Sequence, residues 1–189
     1  DYLKEGIAHT LDETRNLSDS GQFEDISLQQ GIRQILYPYE EMEVLNPEWE
    51  VILKDIIDSL FEQMSDEEYN ILNEEFGTYM VSRAYEYRQL LEYLVFRYFA
   101  KSIYDYDFLG KCQMLVTNFF VIRQMDIIRW LDNHREYSFK DRMDVVHIFS
   151  RQVEYSEDNI ENLYEDFIFD DIFKTDSLIA ILWIDSENI

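Results

Sequence analysis

Asn46-Pro47-Glu48-Trp49-Glu50-Val51-Ile52-Leu53-Lys54-Asp55-Ile56-Ile57-Asp58-Ser59-Leu60 is the stretch that decides the fold class of this chain. Asn46 offers a side-chain oxygen to the free backbone N–H groups at a helix start. Pro47 suits the first helical position, where no N–H is required, and the acids of the first turn face the positive end of the helix dipole. From there Trp49, Ile52, Leu53, Ile56, Ile57 and Leu60 recur at three- and four-residue spacing, so they share one apolar face.

The same punctuation repeats on both sides. Upstream, Ser27 is placed to cap a helix running through Ile32, Ile35 and Leu36 toward Pro38. Downstream, Ser65-Asp66-Glu67-Glu68 has capping-box spacing ahead of Tyr69, Leu72, Phe76 and Met80. A helix from about Ala84 to Tyr104 is apolar over a wide arc, as a central helix should be, and a second long helix runs from about Phe108 to Asn133. Ser138 caps a segment through Met143, Val146, Phe149 and Val153; Ser156 caps one through Ile160, Leu163 and Phe167; Asp176 caps the apolar run Leu178 to Ile184. Five Gly and two Pro leave little turn chemistry for a many-stranded sheet, and no repeat of solenoid length is visible. The expectation is all-α: a single bundle of about seven or eight helices over residues 27–189. It is preceded by a mobile N-terminal helix and loop over 1–26, where Leu3, Ile7 and Leu11 keep helical spacing.

Forty acidic residues against sixteen basic ones give a net charge of -24. That field repels nucleic acid and anionic membranes and attracts basic partners. The longest uncharged run, Cys112 to Ile122, is too short to span a bilayer, and no signal-peptide pattern opens the chain. The single cysteine, Cys112, excludes an internal disulfide and a multi-cysteine cluster; lying among apolar residues, it is expected to be a buried thiol in a reducing compartment. The chain begins at Asp1 without an initiator Met, so it is expected to be cut from something longer.

Two acid-bearing motifs imitate metal sites. Asp105-x-Asp107-x-x-Gly110 resembles a calcium loop, but Leu109 and Val116 stand where ligands are needed, so it reads as an interhelical turn. Asp144-x-x-His147 has di-iron spacing, but His9 and His134 supply no second pair; His147 is expected to be semi-buried and hydrogen-bonded. Neither a metal site nor a catalytic set is expected. More informative are Arg97 and Arg123, each inside an apolar helix, because arginine is rarely buried without a partner. Glu92, Asp126 and Glu154 are available as partners, and Arg88 and Arg151 can join. Together these seven residues form the candidate polar network, read either as internal ion pairs fixing helix register or as a cleft for a ligand carboxylate or phosphate.

The residues around these arginines carry a resemblance. Tyr87 to Phe99, Val121-Ile122-Arg123, Phe149-Ser150-Arg151-Gln152-Val153-Glu154-Tyr155 and Leu45-Asn46-Pro47-Glu48-Trp49 together resemble the C-terminal helical region of the flagellin lysine-N-methylase family, over about residues 40–185. Glu92 and Tyr93 are offset from the family's usual form, and Tyr155 stands where it often has His. The resemblance implies a bacterial, cytoplasmic protein that methylates flagellin lysines from S-adenosylmethionine. It also implies a cysteine-rich upstream region binding an iron–sulfur cluster, which Cys112 cannot replace. On this reading the chain alone is inactive, and its partners are a lysine-bearing basic substrate and the cysteine-rich half. A face made for that half would be left apolar and exposed, around the N-terminal helices or Tyr85–Tyr106, and is expected to drive homodimerisation. The rival reading is an acidic all-helical interaction module without catalysis.

Overall fold

The computed structural model describes residues 26–187, and among these there is no strand. The expected helix and loop over 1–26 therefore lie outside the described residues, apart from Ile26, which packs against the core. The chain runs as α1 (Leu28–Glu40), α2 (Pro47–Ile56), α3 (Asp66–Met80), α4 (Ala84–Phe99), α5 (Ser102–Asp105), α6 (Phe108–Asp132), α7 (Phe139–Phe149), α8 (Glu157–Phe169) and α9 (Thr175–Glu187). Eight of these are ten residues or longer, in line with the expected bundle. No described helix is long and apolar enough to cross a membrane.

Helix starts follow the capping chemistry. The side chains of Ser27, Asn46, Asp107 and Ser156 accept from Gln30, Glu48, Gly110 and Asn159 N–H groups at 3.2, 3.2, 2.8 and 3.1 Å. Ser65 with Glu68, and Ser138 with Asp141, close full capping boxes. Two helices continue into wide π-helical turns, α2 through Ile57–Glu62 and α7 through Ser150–Glu154.

Three expectations need correction. The helix from Ala84 stops at Phe99, and Tyr106, with a left-handed φ of 57°, ends the short α5 before Asp107 restarts the chain. Nor is α4 central, because Tyr93, Val95 and Phe96 lie exposed; the apolar arc of this segment exceeds the side that the bundle covers. Asp176 does not cap α9, which starts at Thr175, one residue after a 3-10 turn at Asp171–Phe173; the carboxylate sits inside the first turn.

The central element is α6, which packs against α1, α2, α4, α7, α8 and α9. Much of the aromatic content is spent in this core: Trp49, Tyr39, Tyr69, Phe76, Phe120, Phe149 and Phe173 are fully buried. Ring pairs such as Phe76–Trp130 (5.4 Å) and Trp49–Phe149 (6.2 Å) join α3 to α6 and α2 to α7. At the end of α6 the left-handed His134 and Arg135 let the Arg135 N–H reach back to the Trp130 carbonyl at 2.8 Å. Gly31 lets α1 approach α9 closely, since a Cβ there would lie 2.9 Å from Ile181.

Candidate functional site

The seven predicted polar residues do not converge on one site. Among the described residues Arg88 and Glu92 pair with each other alone, Nε to Oε1 at 2.8 Å, on the exposed face of α4. Arg123 is 3% exposed, and its Nη1 is bound to the Asp185 carboxylate of α9 rather than to Asp126. Burial raises the Asp185 carboxyl above the ordinary range, against the opposing pull of Arg123.

Asp126 belongs instead to Arg142, a residue not singled out in the sequence. The Asp126 carboxylate accepts from Arg142 Nη1, from Tyr137 Oη and from Tyr87 Oη, the last at 2.7 Å. Arg142 also lies 3.4 Å from Glu86 and 4.3 Å from the Tyr87 ring centre, while Arg83 holds the other Glu86 oxygen at 2.7 Å. A sequence signal existed, because Arg142, Val145 and Phe149 share the buried stripe of α7. The neighbours Lys140, Asp141 and Asp144 disguise it as part of a solvated face.

Glu154 is the third centre. Its carboxylate accepts from Ser150 Oγ at 2.6 Å, Tyr93 Oη at 2.8 Å and Tyr98 Oη at 3.3 Å. Arg97 approaches to 3.9 Å, and its Nη2 donates to the Glu154 carbonyl at 3.3 Å; with a third of its side chain exposed, it is less buried than expected. Burial, reinforced by the Glu154 carboxylate, pushes the Tyr93 hydroxyl up to about 12. Asn118 then links Tyr98 (3.1 Å) to Tyr39 (2.7 Å), carrying the chain of hydrogen bonds into α1. The Asp126 and Glu154 centres are closed and have the geometry of internal struts.

Arg151 is different, since it lines an open cleft of about 700 Å3 with Asn46, Glu48, Arg129, Asp144 and His147. The wide turn at Ser150–Glu154 shapes this cleft. Gln152, turned inward, holds the α1–α2 loop through the Leu45 and Asn46 N–H groups (2.9 and 3.2 Å) and the Glu43 carbonyl (2.7 Å). Asn46 is 6% exposed, and its Nδ2 has no hydrogen-bond partner among the described residues. His147 is exposed rather than semi-buried, because α7 turns it away from the core stripe toward the cleft mouth. A second cleft of about 430 Å3 lies between α3, α4 and α6, walled by apolar side chains with Tyr87, Arg88 and Arg123.

No group of three or more potential metal-binding side chains occurs among the described residues. Asp105 and Asp107 neutralise Lys111 at 2.8 and 3.7 Å, and Asp107 caps α6, as an interhelical turn requires. Cys112 is half-buried rather than fully enclosed, with burial and then the Asp107 charge raising its thiol. A lone cysteine with this setting does not fit an iron–sulfur cluster.

In comparison with known proteins, the family model described as FliB lysine N-methylase C-terminal domain matches residues 1–181. No curated protein and no solved structure matches.

Proposed function

The chain belongs to the family of FliB lysine N-methylase C-terminal domains, and from that premise we propose that it is the helical part of an S-adenosylmethionine-dependent methylase acting on flagellin lysines in the bacterial cytoplasm. The single observation carrying this reading is the family match across residues 1–181. S-adenosylmethionine supplies an activated methyl group, and the accepting lysine must first lose a proton. The domain acts with a cysteine-rich upstream region and is inactive alone.

The contribution of this domain is binding and orientation. Its net charge of -24 gathers a lysine-bearing substrate. The cleft at the α2 start carries Arg129 and Arg151 beside Asp144 and Glu48, a donor and acceptor set that fits an amino-acid end bearing both carboxylate and ammonium. The unpartnered Asn46 Nδ2 adds a buried donor to that set. No side chain of the closed centres is available as a general base, because each is already engaged. The test is methyl transfer to purified flagellin, read by mass spectrometry of lysines. The full-length protein should methylate, this chain alone should not, and full-length Arg151→Ala should lose turnover while keeping its fold. Methylation by the isolated chain, or none by the full-length protein, overturns the reading.

One surface feature bears on the choice between this reading and the rival, an acidic interaction module without catalysis. Phe96, Ile103, Tyr104 and Tyr106 are 84%, 73%, 84% and 89% exposed along one stretch of surface. Such a surface is made for contact. Under the methylase reading its partner is the cysteine-rich region; a gene lacking cysteines upstream would select the module instead.

A further inference from the structure

We propose that the cleft between α3, α4 and α6 is a binding site for a small molecule with an apolar body and a terminal carboxylate. The cleft encloses about 430 Å3, within the range that holds a small ligand, and is walled by Phe76, Met80, Val81, Leu91 and Phe119. Among the described residues no acid lines this cleft, and its charged residues are Arg88 and Arg123. The cleft wall is therefore apolar, with two guanidinium groups whose carboxylate partners, Glu92 and Asp185, stand outside the lining.

Arg123 gives the site its polar anchor. It is 3% exposed, and Asp185 occupies Nη1 but leaves Nη2 without a partner among the described residues. A buried guanidinium N–H with no acceptor is costly; Arg142 Nη2 shares that condition, but Arg123 also lines a cleft from which a ligand can supply the acceptor. The planar fork of arginine suits a carboxylate in particular. Arg88 stands at the rim with only its Nε engaged, by Glu92. The ligand accordingly lays its apolar part on Phe119 and Leu91 and offers its carboxylate to the guanidinium groups. A molecule with two positive centres, such as S-adenosylmethionine, finds no acid in this lining. The site is thus distinct from the charged cleft at the α2 start and does not rest on the methylase reading.

Decanoate and decanol are the probes, titrated into the whole chain below their aggregation concentrations and followed by calorimetry. Decanoate should bind saturably with one site, about tenfold or more tighter than decanol, because only the carboxylate answers the arginine donors. Ala84, exposed on the cleft wall, provides a variant that spares the ion pair: Ala84→Trp should weaken decanoate about tenfold or more by filling the space. Arg88→Gln, on the solvent side, should narrow the difference between decanoate and decanol. Circular dichroism confirms that both variants stay folded. Equal affinity for the two probes, an unchanged constant in Ala84→Trp, or no saturable binding overturns the proposal.

Discussion

The Arg142 guanidinium on α7 grips the Asp126 carboxylate on α6 where neither reaches solvent, at 6% and 0% side-chain exposure. Tyr87 and Tyr137 donate to the same carboxylate, so protein groups replace the water that the charge has lost. Removing one partner strands the other. Arg142→Met should cost about 3–5 kcal/mol, whereas Tyr87→Phe, which deletes one donor of several, should cost about 1–2 kcal/mol. Urea unfolding measures both, and a loss under about 1 kcal/mol for Arg142→Met would show that the pair is not desolvated.

Gly31 and Ile181 meet where α1 crosses α9. A methyl group at position 31 would sit 2.9 Å from both Cγ1 and Cδ1 of Ile181, which is fully buried. Ordinarily Gly→Ala within a helix gains about 1 kcal/mol. Here overpacking of about 1–3 kcal/mol opposes that gain, so Gly31→Ala should be neutral or destabilising. Adding Ile181→Val removes Cδ1, and the double variant should recover stability relative to the sum of the two single changes. Strict additivity in chemical unfolding would refute the close approach.

Stability should peak on the acid side of neutrality. The Asp166 carboxyl is raised by burial first and then by the charges of Asp170, Glu41 and Glu165. A carboxyl raised in the folded chain holds its proton more tightly there than in the unfolded chain. Its contribution is full in acid and is lost as pH rises through the raised value. Glu68 is lowered by the Ser65 backbone N–H and then the Ser65 hydroxyl, so its contribution is present above the ordinary glutamate range and lost as pH falls through the lowered value. The thermal midpoint should therefore rise as pH drops from neutrality toward the carboxylate range, then fall below it. Asp166→Asn should raise stability at pH 7 by about 0.5 kcal/mol by relieving the i,i+4 repulsion with Asp170, and should flatten the neutral limb. A midpoint lowered by this substitution would contradict the assignment.

The exposed apolar stretch from Phe96 to Tyr106 carries a solution prediction. The isolated chain should self-associate through it, and Phe96→Asp combined with Tyr104→Ser should give a monomer by light scattering without loss of helix signal. Co-expression with a cysteine-rich upstream region should protect the same residues from surface labelling. An association unaffected by the double variant would place the contact elsewhere.

Local chemistry was the legible part of this chain. Caps at Ser27, Asn46, Ser65, Ser138 and Ser156 stand where side-chain oxygens precede apolar periodicity, because a cap and its N–H groups are neighbours in sequence. Burial of Arg123 was legible for the same reason, since it interrupts an apolar helix. Its partner Asp185 was not, being 62 residues away and brought near only by the docking of α9 on α6. Arg88 and Glu92 satisfy i,i+4 spacing and pair as that spacing suggests, yet their exposure of 80% and 62% makes the pair marginal; Arg88→Ala should leave the unfolding midpoint essentially unchanged. Spacing along one helix shows which groups can meet, while depth depends on which other helix covers them. The cleft around Arg151 and Asn46 combines four segments and had no single-segment signature.

The wide turn at Ser150–Glu154 has a consequence for how related chains are aligned. An α-helix advances about 100° per residue, and a π turn holds one residue more than the regular helix it interrupts. Gln152, Val153 and Glu154 are buried in succession here, and Glu154 meets Ser150 across the turn. A relative lacking one residue in this segment would close it as regular helix, and the side chains from the gap to the end of the helix at Tyr155 would point about 100° away from their counterparts. Its glutamate would leave Tyr93 and Tyr98, and its equivalent of Arg151 would leave the cleft rim. Single-residue gaps near position 150 therefore separate relatives that share this rim from those that do not, even where the flanking residues are identical.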